Sequence, residues 1–440
     1  MRFSPHTSAD RRAMLAAIGV SSIEDLFSDI PQEVLDRFEP LGLPAGSEQA
    51  VAASLKTLSE RSRAGTMTCF LGGGIYDHYV PSIIGHLIGR SEFYTAYTPY
   101  QPEISQGTLT AMFEFQTLIC ELTGMEVANA SMYDGATALA EAIFMAERIV
   151  KRGKVAVPRT LHPGHRRVVE TYCWASGIEV VEVPTLPSGR IDVSDLPADL
   201  SALVVQSPNA FGVIEALDGL KAAAGDALLI ASVHPLSLGI LEPPGAYDAD
   251  IVVAEGQPLG LPMGFGGPLL GLFATHKKYL RQMPGRVSGR TVDVDGNVGY
   301  TMAAQTREQH IRRERATSNI CTNSALCALA ATIYLATVGS DGLRQVGELN
   351  LEKAHYLADR ISELDGFDLA FDAPFFNEFV VHVPGDAADI RTHLDDAGFL
   401  VGDPNELAKL GVSDALRFAV TEKRTKDELD RLVEALRGVR

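Results

Sequence analysis

Cysteine is scarce in this chain of 440 residues: Cys69, Cys120, Cys173, Cys321 and Cys327 are an odd number, scattered, with no CxxC spacing. That excludes a disulfide framework and a zinc signature, and no other metal site is read; the thiols are expected to be small buried apolar groups. Basic residues are also in deficit, 38 Lys and Arg against 56 Asp and Glu, for a net charge of −18. Nucleic acid and anionic membrane surfaces both call for a basic face, so neither is an expected partner. Aromatic residues make up only 7%, with a single Trp. The opening Met1-Arg2-Phe3-Ser4-Pro5-His6 runs into Asp10-Arg11-Arg12 without an apolar core, so no secretory leader is read and a cytoplasmic location is expected. Repeats and low-complexity tracts are missing as well.

What is present is the composition of a globular α/β protein, 46% hydrophobic and 21% charged, long enough for two or three domains. Residues 1–65 read as a helical arm. Ser8 is placed to cap a helix carrying Met14, Leu15 and Ile18, and Ser22 to start another through Ile23, Leu26 and Phe27. Residues 66–325 read as a large doubly wound domain. Short β-branched runs at 154–157, 178–183, 202–206, 227–231 and 250–254 alternate with helical stretches, and several are continuously apolar, as buried parallel strands are. Such a sheet carries its ligand crevice at the carboxyl ends of the strands. Residues 316–340 contain no charge, but Ala, Ser, Thr, Asn and Cys dominate them, which predicts a helix buried at a domain junction rather than a membrane span. Residues 326–440 read as a smaller α+β domain. Its last helix is announced by the capping box Thr425-Lys426-Asp427-Glu428, followed by Leu429, Leu432, Val433 and Leu436.

Three segments are candidates for chemistry. Gly72-Gly73-Gly74 lets backbone approach a ligand or another chain closely, or simply makes a tight turn. The run Tyr97-Thr98-Pro99-Tyr100-Gln101-Pro102-Glu103 is a proline-stiffened loop of flat, polar-tipped side chains, suited to a site or interface; a rigid surface loop is the plainer alternative. Gly135-Ala136-Thr137 opens an Ala-rich helix whose free N–H groups suit phosphate, or only an ordinary cap.

The tyrosine–proline run, continued through Ile104-Ser105-Gln106-Gly107, resembles the P-protein family of the glycine cleavage system. So do Glu121-Leu122-Thr123-Gly124-Met125, Ala128-Asn129-Ala130-Ser131, Gln206-Ser207-Pro208-Asn209, and the stretches 72–79, 305–314 and 316–323. The resemblance spans nearly the whole chain. It implies the type I fold of pyridoxal-phosphate-dependent transferases, aspartate-aminotransferase-like, and membership of an enzyme that decarboxylates glycine and passes the aminomethyl group to the lipoyl arm of H-protein.

In that family the catalytic half needs a Schiff-base lysine and an aspartate at the pyridinium nitrogen. In an ungapped reading Ser232 stands at the aspartate position and Pro258 at the lysine position, while Lys277 and Lys278, beyond a further strand, are expected outside the crevice. The resemblance is therefore to the half-length chain that binds no cofactor covalently. Pyridoxal phosphate is expected in its partner, subunit 2 (the beta chain), and glycine and lipoylated H-protein are the other implied partners. Tyr97, Tyr100, Gln101 and Glu103 are candidates for completing the partner's site, or for cementing the interface. Gly135, Ala136 and Thr137 would be a vestigial phosphate turn, and His162 a loop histidine where related folds place a ring-stacking residue. A stand-alone aminotransferase-like enzyme and a purely structural or regulatory scaffold are the rival readings.

Overall fold

The structure, a computed structural model, describes residues 5–439. Its contacts separate a unit ending at Gly65 from one beginning at Thr66. The first contains the helices Ser8–Ile18 and Glu48–Glu60. Thr7, not Ser8, caps the earlier one: its hydroxyl accepts from the Asp10 amide, while the Asp10 carboxylate accepts from the Thr7 amide. Ser22 starts only a short 3-10 turn at Glu24–Phe27.

The second unit opens with β1 (Thr68–Cys69). Its main sheet comprises β2 (Val127–Ala128), β3 (Lys154–Pro158), β4 (Glu179–Val183), β5 (Ala202–Ser207), β6 (Leu228–Val233), β7 (Ile251–Glu255) and β8 (Gly271–Thr275). The seven lie in the order β2-β8-β7-β6-β5-β3-β4, parallel except that β8 runs against both neighbours. Alternate residues of one strand serve opposite cores. Leu203 and Val205 join Leu229, Val252 and Ala254 on one face, whereas Ala202 and Val204 join Ile230, Val253 and Phe273 on the other. Both faces are covered by helices, which is why the strands read as unbroken apolar runs.

A hairpin, β9 (Val287–Val292) and β10 (Val298–Ala303), extends from the large domain. The charge-free stretch becomes helical only at Ala325, because the polar residues ahead of it bond elsewhere. Asn323 donates to the Ala130 carbonyl and the Ser131 hydroxyl, and the Ser324 amide donates to that same hydroxyl. Cys321 lies in this irregular segment and is exposed, and Cys120 is half-buried, so the expectation of five buried thiols holds only for Cys69, Cys173 and Cys327. From Ala325 the helix runs to Ser362 with a break at Gly339 (φ +61°). It is long and apolar enough to cross a membrane, yet Cys327, Ala328, Ala331 and Tyr334 are packed into the core of the main sheet.

The rest of the chain folds on β11 (Asp368–Leu369), β12 (Glu378–His382), β13 (Phe399–Leu400) and β14 (Ala415–Ala419). β12 pairs antiparallel with β11 and β14, and β13 pairs in parallel with the distant β1. Phe70, just after β1, therefore packs in this second core with Phe379, Phe418, Leu429 and Leu432. The capping box at Thr425 forms as read, and the helix Lys426–Arg437 buries Leu429, Leu432, Val433 and Leu436.

Phe418 is 0% exposed at the centre of that core. Phe418→Ala is expected to cost about 3–5 kcal/mol of unfolding free energy in denaturant titration, and a loss below about 1 kcal/mol would contradict this packing.

Candidate functional site

The strand order reverses between β3 and β5, which places a crevice at the carboxyl ends of the parallel strands. Here the structure brings together Ser232 from the end of β6, Glu255 from the end of β7 and Pro258 from the turn after it, His162 from the start of the helix Pro163–Ser176, and Tyr76 and His234 from loops. The space left between them is about 30 Å³, room for one or two waters. No lysine lines it. Lys277 and Lys278 follow β8, whose Thr275 faces Ile251 at the start of β7, so they lie at the other end of the sheet.

Glu255 fills the position that gives such crevices their affinity for anions. One carboxylate oxygen accepts from the Gly135 amide at 2.9 Å, at the first turn of the helix Gly135–Val150. The other accepts from the amides of Gln257 (2.9 Å) and Leu270 (3.1 Å). The Thr137 amide is taken by Asp134, the helix cap, at 2.7 Å. Of the Gly135-Ala136-Thr137 turn, the Gly135 and Thr137 amides thus face carboxylates of the chain itself. A Cβ on Gly135 would lie 2.7 Å from the Glu255 nitrogen, so only glycine admits this approach. Burial pushes the Glu255 carboxyl up to about 7, against the three N–H groups that favour its charged form.

Several of the surrounding polar groups are likewise committed, whereas His165 Nδ1 and His234 Nε2 have no hydrogen-bond partner among the described residues. His162 Nδ1 accepts from the Gly164 amide as a helix cap, and burial, with the nearby His165 and arginines, lowers its pKa to about 3, so the ring is neutral. His234 is held neutral by burial too. Gly72-Gly73-Gly74 makes its close approach within the chain. The Gly73 amide donates to Glu378 at 2.7 Å, Tyr76 Oη donates to the other Glu378 oxygen at 3.0 Å, and Arg417 Nε lies 3.2 Å from that carboxylate. The Gln257 side chain clamps the Tyr76 backbone from both sides.

These residues do not fit pyridoxal phosphate. The crevice offers no amine for an aldimine, Ser232 carries no charge for a pyridinium, a carboxylate occupies the helix end, and the free volume is too small for the ring.

The tyrosine–proline loop is elsewhere. Tyr97 and Tyr100 are 77% and 45% exposed, Gln101 and Glu103 are exposed, and none of the four lines the crevice. The structure therefore separates the sequence candidates into an inward group (Ser232, Pro258, Gly135, Ala136, Thr137, His162) and an outward one. Glu255 itself is not evident from sequence reasoning. Its only signal is a carboxylate at the end of an apolar run, and its amide partner Gly135 is 120 residues away.

A carboxyl whose pKa is raised on folding holds its proton in the native state after the unfolded chain has lost it. Stability therefore falls as pH rises from about 4.5 to about 7. Glu255→Gln removes this share, so the variant is expected to gain on the native chain by up to about 3 kcal/mol across that window, whatever constant cost the amide adds. Parallel stability–pH profiles in denaturant titration would refute the assignment.

A model of the glycine cleavage system P-protein family matches residues 1–436. The probable glycine dehydrogenase (decarboxylating) subunit 1 of Carboxydothermus hydrogenoformans is 50% identical over 448 aligned positions, with 100% of both chains covered. The protein of the same description from Thermotoga maritima is 49% identical, with 99% of both covered. Among solved structures, glycine decarboxylase (P-protein) of the glycine cleavage system, in inhibitor-bound form, superposes with a TM-score of 0.91 at 44% identity, covering 99% of each chain. A sphingosine-1-phosphate lyase from Burkholderia pseudomallei, at 15% identity, a TM-score of 0.65 and 91% coverage of each chain, shares the fold alone. With the type I fold of pyridoxal-phosphate-dependent enzymes and full-length similarity on both counts, this chain belongs to the P-protein family of the glycine cleavage system.

Proposed function

We propose that this chain is the cofactor-free, site-completing subunit of a two-chain glycine decarboxylase. Its partner, subunit 2, holds pyridoxal phosphate. The assembly decarboxylates glycine and hands the aminomethyl group to the lipoyl arm of H-protein. The observation that carries the reading is the Glu255 carboxylate on the Gly135 amide, which fills the crevice from within. With its own crevice closed, what the chain has to offer lies outside it.

The outward surface supports this. Tyr97, Ile104, Phe265 and Val294 are each more than three-quarters exposed, at 77, 81, 101 and 102%, on loops and the hairpin tip of the large domain. Large apolar side chains so presented favour contact with a second chain. In this reading Tyr97, Tyr100, Gln101 and Glu103 reach the partner's glycine site, where two phenols and a carboxylate orient a small zwitterion.

Purified alone, the chain is expected to lack cofactor absorbance and to yield no pyridoxyl-lysine peptide after borohydride; such a peptide from this chain would overturn the cofactor-free assignment. In the reconstituted complex, Tyr100→Phe and Glu103→Gln are each expected to lower glycine kcat/KM by about tenfold, the scale of one lost hydrogen bond to a charged group. Unchanged turnover in both, with Tyr97→Phe also silent, would exclude the loop from the site.

A further inference from the structure

The outward loop is held from beneath by residues to which neither the crevice nor the proposed function has given a role. Arg286, immediately ahead of β9, has a side chain only 3% exposed. Its Nη1 donates to Thr98 Oγ1 at 3.0 Å and its Nη2 to Tyr100 Oη at 3.0 Å, with the guanidinium carbon 5.4 Å from the tyrosine ring centroid. Its Nε lies 3.4 Å from Glu308, whose side chain is 10% exposed. The segment 305–314, family-like in sequence but without a task so far, therefore reaches the loop. Glu308 pairs with Arg286, and His310, 3.5 Å from Glu308, stands edge-on to Tyr100 with ring centroids 5.6 Å apart. Farther along, Gln106 exchanges two hydrogen bonds with the Tyr300 backbone of β10, at 2.8 and 2.9 Å, and so fastens the end of the loop to the same hairpin.

The direction of these bonds matters. A guanidinium donates and never accepts, so each hydroxyl it touches has a lone pair occupied and its own hydrogen turned elsewhere. Thr98 and Tyr100 are thereby made donors. Arg286 and Thr98 also face a largely apolar cavity of about 110 Å³ beneath Tyr97. A rigid fork that satisfies two acceptors at once is a geometry available to arginine and not to lysine.

We propose that Arg286, neutralised by Glu308, is a positioning residue for the active site that this loop completes. It sets the Thr98 and Tyr100 hydroxyls as outward hydrogen-bond donors to an oxyanion presented by the partner chain's site, either the carboxylate of the amino-acid substrate or the phosphate of the partner's cofactor. The inference rests on the loop reading above and adds to it how the loop is oriented and what chemistry it meets.

The test is a double-mutant cycle in the reconstituted complex, because Arg286 acts through the two hydroxyls and not beside them. Arg286→Lys keeps the charge against Glu308, whose Oε1 has no hydrogen-bond partner, and so avoids leaving a buried carboxylate unpaired. It is expected to lower glycine kcat/KM by about tenfold while complex mass is unchanged and the melting temperature shifts by only a few degrees. In a background of Thr98→Val with Tyr100→Phe, the same change is expected to cost less than about threefold, since the groups it orients are gone. A raised KM for glycine assigns the oxyanion to the substrate carboxylate, and weakened cofactor retention by the complex assigns it to the phosphate. Losses that multiply independently in the cycle would overturn the proposal, as would an Arg286→Lys complex that leaves both readouts unmoved while Tyr100→Phe is impaired. Should Tyr100→Phe, Tyr97→Phe and Glu103→Gln all be silent, the loop reading itself fails, which is a different result from failure of Arg286 alone.

Discussion

The Glu255 carboxylate joins three parts of the large domain at one point: the end of β7, the first turn of the helix Gly135–Val150, and the Leu270 amide that leads into β8. Isolated, a charge buried this deeply would be expelled or neutralised. Here three N–H groups and the positive end of a sixteen-residue helix hold it. The helix so anchored supplies Leu139, Ile143 and Ala146 to the core on one face of the sheet, so the same contact that closes the crevice also seats a principal layer of the fold. Gly135 has to be glycine for this to happen, because any larger residue would push the helix off β7.

A second buried arrangement closes the other wall. Glu378 of β12 takes the Gly73 amide and the Tyr76 hydroxyl and lies against Arg417 of β14, which also binds Glu406 at 2.7 Å and the Ala210 carbonyl at 3.3 Å. The Gly73 amide, the Tyr76 hydroxyl and both Arg417 Nη groups are thus already matched to acceptors within the chain. Burial raises the Glu378 pKa while the Arg417 charge opposes it, and removing either partner would strand the other in the interior. The glycine run is needed for this contact: a Cβ at Gly73 would meet the Arg417 guanidinium at 2.5 Å.

Most of the architecture was legible because it is written in local patterns. Parallel strands buried on both faces leave apolar runs, and Thr425 with Glu428 leaves a capping box, wherever the partners are. What was illegible depends on distant pairing. The union of β1 with β13 joins residues more than 300 apart in sequence and moves Phe70 into the C-terminal core. The late start of the helix at Ala325 depends on Ser131, nearly 200 residues earlier, capturing the Ser324 amide. The candidate site divides in the same way. Ser232 and Pro258 were recognisable through family resemblance as departures from a pattern, whereas the residue that occupies the resulting space, Glu255, and the one beneath the loop, Arg286, acquire meaning only from contacts across the fold.

The inward and outward groups share no side chain and hang on different elements. Glu255 and its donors belong to β7, β8 and the helix Gly135–Val150, while Thr98, Tyr100 and Arg286 are braced by the β9–β10 hairpin and the segment after it. The two sets do touch through the backbone, where the Arg286 carbonyl accepts from the Ala130 amide at 2.8 Å a few residues ahead of Gly135, but no side chain of one set bonds a side chain of the other. The side chains that fill the crevice are thus other than those that brace the loop. In the two-chain reading proposed above, this division of labour among side chains would let one chain give up its own cofactor position and still retain the part of a site that it lends.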